Sequence, residues 1–255
     1  MNILEHNRQA WNQEVKRENR WTLPVSPEEI ADARRGVLKL LLTPTKPTPT
    51  EWFAGARGRD LLCLASGGGQ QGPLFAAYGA NVTVFDNSDA QLAQDRLVAE
   101  REGLPIRTVQ GDMRDLSCFP DGSFDYIFHP VSNCFVEEVR PVWKECWRVL
   151  RKGGTLMAAF CNPLLYLFDI DEWDRGNLAL RYHIPYSDVG QLPEETLKRR
   201  IDAQEPLEYG HSLQDQIGGQ LDAGFVLAGF YEDNAGGDLL DPYIDTFIAT
   251  RALKL

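Results

Sequence analysis

Between an apolar run at Leu61 to Leu64 and a helical stretch lies the segment Ala65-Ser66-Gly67-Gly68-Gly69-Gln70-Gln71-Gly72. Small residues let a backbone pass close to a ligand, and amides that open a following helix can point at its polar atoms. A second apolar run, Val82 to Phe85, ends in Asp86, at the spacing where a carboxylate reaches the hydroxyls of a ribose held above such a loop. Gly111-Asp112-Met113 follows a third apolar run, where an acid can accept from an adenine amino group and an apolar neighbour can pack on the ring. Alone, a glycine-rich turn is often only a tight turn, and a strand-end acid is often a helix cap. In this order they point to an adenosine-containing cofactor and leave a nicotinamide-dependent oxidoreductase open.

The elements that must position these groups alternate. Apolar runs at Leu61–Leu64, Val82–Phe85, Ile106–Val109, Phe124–Phe128 and Thr155–Phe160 read as buried strands, separated by stretches of helical period. Tyr78-Gly79 closes the first helix, Ser88 with Gln91 opens the next as a capping box, and Gly103 ends it. Pro120-Asp121-Gly122-Ser123 is a turn, and Val139–Leu150 is a helix stopped by Arg151-Lys152-Gly153-Gly154. A helix over Ser212–Ala223 precedes two strands, Phe225–Tyr231 and Ile244–Arg251, whose connection is too short for a helical crossover, so the pair is antiparallel. This predicts an α/β, doubly wound, seven-stranded and mostly parallel sheet.

Ahead of it lie a polar helix around Asn7 to Asn19 and a second helix from the Ser26-Pro27-Glu28-Glu29 start to about Leu42. The Thr43–Thr50 segment, with three prolines, reads as an extended, polyproline-like strap. The expected organisation is an N-terminal helical cap and strap (1–50), a cofactor-binding core (51–160), an inserted lid (161–211), and a completion of the core (212–255).

Composition narrows the partners. A hydrophobic content of 43% over 255 residues is enough for a full core, and a formal charge of -11 would be repelled by nucleic acid or an anionic membrane. Five widely spaced cysteines suggest neither zinc nor a redox dithiol, and four scattered histidines form no metal set, so no metal is expected. With no signal-like N-terminus and no membrane-length apolar run, the expected location is the cytoplasm.

The run from Leu61 to Phe160 resembles the class I S-adenosylmethionine-dependent methyltransferases, especially the small-molecule group, in its glycine loop, strand-end Asp86, Gly111-Asp112 pair and Pro120-Asp121-Gly122-Ser123-Phe124-Asp125 turn. The resemblance implies a Rossmann-like methyltransferase sheet and S-adenosyl-L-methionine as cofactor. It implies that Ala65, Ser66, Gly67, Gly68 and Gly69 cradle the methionine part and that Asp86 holds the ribose. Asn87, Gly111, Asp112 and Met113 would surround the adenine. Cys63 stands where the family commonly has an acid and Ala65 where it has its first loop glycine; Ala65 in turn implies that no positive dihedral is needed there.

Methyl transfer from a sulfonium is an in-line displacement, so the protein must chiefly hold the acceptor opposite the sulfur in a partly dry site. His129-Pro130-Val131-Ser132-Asn133-Cys134 falls where the resemblance puts the junction between cofactor and acceptor, with His129 a candidate general base or cofactor contact. The acceptor candidates are Asn133, Trp11 and Trp21 from the cap, and Tyr166, Trp173 and Tyr182 from the lid, as an aromatic enclosure for a small molecule. A non-catalytic cofactor-binding protein is the further alternative. If Asp86 holds the ribose, Asp86→Ala should weaken binding of S-adenosylmethionine and S-adenosylhomocysteine by roughly ten- to a hundred-fold, the worth of charge-assisted hydrogen bonds, measured by calorimetry.

Overall fold

The computed structural model describes all 255 residues. Its sheet has seven strands: β1 (Asp60–Leu64), β2 (Asn81–Asp86), β3 (Ile106–Gln110), β4 (Phe124–His129), β5 (Leu150–Cys161), β8 (Val226–Asp233) and β9 (Phe247–Leu253), with β6 (Tyr186–Ser187) and β7 (Tyr209–Gly210) forming a separate small pair. The order is β3-β2-β1-β4-β5-β9-β8. β9 runs antiparallel between β5 and β8, and every other pairing in the large sheet is parallel. The order reverses between β1 and β4, so a crevice opens at the carboxyl ends of those strands.

The helices are α1 (Ile3–Lys16), α2 (Pro27–Arg34), α3 (Gln71–Tyr78), α4 (Asp89–Glu102), α5 (Arg140–Val149), the short α6 (Ile170–Asp174) and α7 (Asp188–Gln191), α8 (Glu194–Asp202) and α9 (Gly219–Asp222). Alternation along the strands divides the core into two layers. Leu61 and Cys63 of β1 join Val82, Val84, Phe75 and Phe53 on one face, while Leu62 and Leu64 join Phe85, Ile127 and Trp143 on the other. Both faces of the sheet are thus covered, as the continuous apolar runs require. Each large side chain buried this way contributes about 1.5–3 kcal/mol. Trp143 also satisfies its indole N–H by donating to the Asp215 carbonyl at 3.0 Å.

The N-terminal helix is tied across the crevice. The Asn7 amide donates to the carbonyls of Phe135 (3.2 Å) and Leu207 (2.9 Å) and accepts from Leu207 N. Asn12 Oδ1 accepts from Ser88 Oγ and from Ala90 N at the start of α4.

Several expected boundaries change. The second helix has the expected capping box at Ser26 and Glu29 but ends at Arg34, because Gly36 turns left-handed (φ 91°) and the chain leaves the helix there. The following segment is no extended strap. Leu41 bridges Pro47 in antiparallel fashion and Thr48 N donates to Leu40 O, so the prolines lie in a turn that folds back on itself. Arg151 to Gly154 do not cap a helix; they lie within β5, because the backbone of Leu150 is already extended. Ser212–Ala223 begins as a π-helical turn over Gln214–Gly218 and becomes α-helical only at α9. The 161–211 segment, where no strand was expected, contains β6 and β7.

Asp233 holds the Leu41–Pro47 turn to β8. Its carboxylate accepts from Thr45 N and Lys46 N at 2.8 Å each and from Thr45 Oγ1 at 2.5 Å. Removing it strands several donors at once, so Asp233→Ala should lower stability by about 2–3 kcal/mol, read from the urea midpoint, while Asp233→Asn should lose less.

Candidate active site

A cavity of about 310 Å³ lies at the carboxyl ends of β1, β2 and β4, beneath α1. Its walls contain Ala65, Ser66, Gly67, Asp86, Asn87, Gly111 and Met113 from the expected cofactor set and Trp11 and Trp21 from the expected acceptor set.

The loop begins with a strained residue. Ala65 has φ 47°, in the left-handed region, contrary to the expectation that an alanine here avoids it. Its N–H donates to Phe85 O at 2.7 Å, which ties the turn to β2 at a conformational cost of roughly 1–2 kcal/mol. Gly67 N donates to Asp86 Oδ2 (2.9 Å), and Ser88 N donates to Oδ1 (2.8 Å). Asp86 therefore clamps the loop and starts α4 while its carboxylate also forms part of the cavity wall. Burial raises its pKa despite these donors. A Cβ at Gly67 would fall 2.7 Å from Gln91 Cβ and 3.1 Å from Asp86 Oδ2, so a side chain here would push into the packing that holds the loop.

Gly68 and Gly69 are not in the cavity wall. A Cβ on Gly68 would meet Trp21 O at 2.7 Å, and one on Gly69 would meet Gln94 O at 2.9 Å, so these two pack against the N-terminal segment and α4. Below them sits Asp95, fully buried, whose Oδ2 accepts from Gly68 N at 3.1 Å and whose Oδ1 has no partner. Burial raises the pKa of the neighbouring Cys63 thiol, and the charge of Asp95 adds to the effect. The carboxylate beneath the loop thus comes from α4 rather than from β1. Burial pushes the Asp95 pKa up to about 8. The signal in the sequence was an acid on the buried face of α4 shared with Gln91, Leu92 and Val98.

At the adenine end, Met113 and Phe85 give the wall an apolar surface. Asn87 lies beside them, its amide donating to Leu4 O at 2.9 Å. Asp112 is displaced from its expected role. Arg114 takes both carboxylate oxygens, through Nε at 2.9 and 3.1 Å and Nη2 at 2.6 Å, and Asp112 does not line the cavity.

His129 also lies outside the cavity wall. It is fully buried, its Nδ1–H donates to Leu64 O at 2.9 Å, its Nε2 has no partner, and it packs edge-on to Trp143 outside the cavity. Burial lowers its pKa to about 4, so it stays neutral and braces β4 against β1. Pro130, Val131 and Ser132 line the cavity instead.

The expected acceptor residues divide. Trp11 packs edge-on to Phe135 at 5.2 Å, and Trp21 carries the Arg20 guanidinium over its ring at 4.1 Å; both face the cavity. Asn133 is buried in a reciprocal amide pair with Gln216 and does not reach it. Trp173 packs on Phe168, Tyr182 packs on Tyr186, and Tyr166 stacks on Tyr186; none of the three lines the cavity. Cys134, from the run expected at the junction, lines the cavity too, and sequence reading missed Arg8, Gln91, Cys161, Glu208 and the Leu41–Pro44 turn, all of which also do. These missed residues come from five separate segments, and apart from Gln91, whose signal was that of a helix start, none carries a local motif.

The site fits an S-adenosylmethionine-type ligand on its own features. A carboxylate suited to a diol stands at the end of β2, a sulfur and a phenyl ring give the adjoining wall an apolar surface, and the buried Oε1 of Gln91 has no partner in the protein. Gly111 adds a cradle, since a Cβ there would overlap the Phe85 ring.

Comparison with known proteins agrees with this geometry. The family described as "Methyltransferase domain" matches residues 62–158. The chain is 52% identical over 253 residues to the uncharacterized methyltransferase YbaJ of Bacillus subtilis (strain 168), covering 99% of both chains. The chain belongs to the class I S-adenosylmethionine-dependent methyltransferases. The fold is shared with an S-adenosylmethionine-dependent methyltransferase from Mesorhizobium loti, at a TM-score of 0.59 and 17% identity over 78% of this chain and 92% of that one. It is also shared with the 1,6-didemethyltoxoflavin-N1-methyltransferase of Burkholderia thailandensis, at a TM-score of 0.59 and 12% identity over 98% of this chain and 88% of that one. The family assignment settles the choice between this methyl donor and a nicotinamide that the loop and Asp86 had left open.

The Asp95 carboxyl carries a consequence for stability. Its pKa is raised from about 3.8 unfolded to about 8 folded, so its contribution is complete below the lower value and is lost as pH rises toward the upper one. Asp95→Asn keeps an oxygen for Gly68 N and cannot ionise. The difference between wild-type and variant urea midpoints should therefore move in the variant's favour between pH 5 and pH 8 (roughly the window of the shift).

Proposed function

We propose that this methyltransferase acts on a small molecule, transferring the methyl group of S-adenosylmethionine by in-line displacement. The observation that carries this reading is the cavity itself. One continuous space runs from the glycine loop and Asp86 to an apolar chamber formed by Leu41, Leu42, Val131, Leu165 and Phe247. α1 and the Leu41–Pro47 turn contribute to its wall, and this cover supports a compact acceptor.

When bound, S-adenosylmethionine supplies an electrophilic methyl group. The chain's own task is to orient and to exclude water. Asp86 would hold the ribose, Met113 and Phe85 would flank the adenine with Asn87 at its edge, and the backbone from Ala65 to Gly67 would meet the methionine part. Trp11 and Trp21 close the site from the N-terminal side, so residues 1–50 act as a cap. Residues 161–211 act as a lid over the 51–160 core, which 212–255 completes. The Burkholderia neighbour, whose structure holds 1,6-didemethyltoxoflavin with S-adenosylhomocysteine, supports an acceptor of that size. No helix is long and apolar enough to cross a membrane, and all five cysteines are free, which supports action in the reducing cytoplasm.

Incubation with methyl-labelled S-adenosylmethionine and a cell extract separated by size tests this. Label should enter the low-molecular-weight fraction. Label entering only protein or nucleic acid would defeat the small-molecule reading.

A further inference from the structure

One ionisable group on the cavity wall has no part in holding the cofactor loop. Glu208, just before β7, lines the cavity together with Cys134, Cys161 and Leu165. Its Oε2 accepts from the Tyr166 hydroxyl at 2.8 Å, and no protein donor reaches Oε1. Its backbone is fixed on both sides by Asp188, whose Oδ2 accepts from Glu208 N (2.9 Å) and whose N–H donates to Glu208 O (3.0 Å). Tyr166 is in turn held by stacking on Tyr186 at 5.4 Å. The carboxylate is therefore aimed, with one oxygen committed to the protein and the other to the cavity.

Its neighbours leave it without a partner cation. Arg200 lies near but is committed to Asp188 (3.1 Å) and Glu205 (3.1 Å), and Asp188 itself adds negative charge. Cys134 and Cys161 are thiols in a buried setting. Arg8, the cationic side chain in the cavity wall, is bonded to Glu5 at 2.6 Å on α1, whose Leu4 carbonyl meets Asn87 on the adenine side. A lone carboxylate oxygen facing an apolar chamber is costly unless a ligand supplies a donor.

Resting on the methyltransferase reading above, we propose that Glu208 receives the methyl acceptor, and that the acceptor is a compact apolar molecule carrying one N–H or O–H donor, an amine or a hydroxyl. Oε1 accepts that hydrogen and orients the nitrogen or oxygen. As the new bond forms between this atom and the methyl carbon, the carbon–sulfur bond breaks with its electron pair left on sulfur, and the acceptor's proton passes to Glu208. Burial, with the Asp188 charge second, raises the Glu208 pKa, which suits it to hold a proton transiently. Anionic acceptors are disfavoured by the same charge.

Three probes of one size test the proposal on the S-adenosylhomocysteine complex: benzylamine, p-cresol and benzoate, titrated by calorimetry near neutral pH. Benzylamine or p-cresol should bind at least about tenfold more tightly than benzoate. In Glu208→Gln that gap should close, while affinity for S-adenosylhomocysteine stays within about threefold of wild type. Whichever of the two probes binds identifies the donor as amine or hydroxyl. Tyr166→Phe removes the donor to Oε2 and should raise the pH at which the preference over benzoate appears. Benzoate binding as well as the others, no probe binding, or a gap that survives in Glu208→Gln would overturn the proposal. A loss of S-adenosylhomocysteine affinity in Glu208→Gln would also overturn it, by moving Glu208 to the cofactor. Wild type failing to bind S-adenosylhomocysteine would instead defeat the methyltransferase reading.

Discussion

Two carboxylates hold the backbone amides of the glycine loop, and the site depends on them. Asp86 takes Gly67 N on one oxygen and Ser88 N on the other, so the end of β2, the loop after β1 and the start of α4 share one anchor. Asp95 takes Gly68 N from below. Amides bound in this way are no longer free to open toward solvent, and the loop is held in the shape of a cradle. The cost is visible in Asp95, which is buried with an unpartnered oxygen and a pKa pushed up to about 8. It is visible again in Ala65, a non-glycine residue in the left-handed region.

With the loop set, the rest of the site is built by elements that approach from outside the core. α1 reaches across through Asn7 and Asn12, the Leu41–Pro47 turn is tied down by Asp233, and the segment after β5 delivers Glu208. These attachments are made largely by side-chain hydrogen bonds to backbone. Such bonds fix position while leaving the apolar surfaces of Leu41, Leu42, Leu165 and Phe247 to line the chamber. The aromatic residues of the 161–211 segment serve the same end indirectly. Tyr182 packs on Tyr186, Tyr186 stacks on Tyr166, and Tyr166 donates its hydroxyl to Glu208.

His129 and Asp112 show how a residue in a suggestive place is taken up by structure. Each stands where a contact to cofactor or acceptor was expected, and each is occupied. His129, fully buried, donates to Leu64 O, and Asp112 is bound by the guanidinium of Arg114 two residues on. The Arg114 partner was visible in the sequence as a nearby charge, but only coordinates show both carboxylate oxygens engaged.

The sequence by itself determined the order of the main strands and helices, the glycine loop, Asp86 at the end of β2 and a site for an adenosine-containing cofactor, because those features are local: apolar period, caps, and a carboxylate at a fixed spacing from a turn. Their physics is complete within about thirty residues. It also marked Trp11 and Trp21, though without the reason that α1 folds over the crevice. What only the tertiary structure decided lies at long range. Gly36 ended α2 early, the proline strap became a turn once Asp233 supplied its donors with an acceptor, and Asp95 came up beneath the loop from a helix. Glu208, from far along the chain, lines the cavity, whereas the histidine beside the fourth strand does not. No spacing rule in the sequence connects Glu208 to the cavity it lines, because its place there is a property of how the 161–211 segment packs.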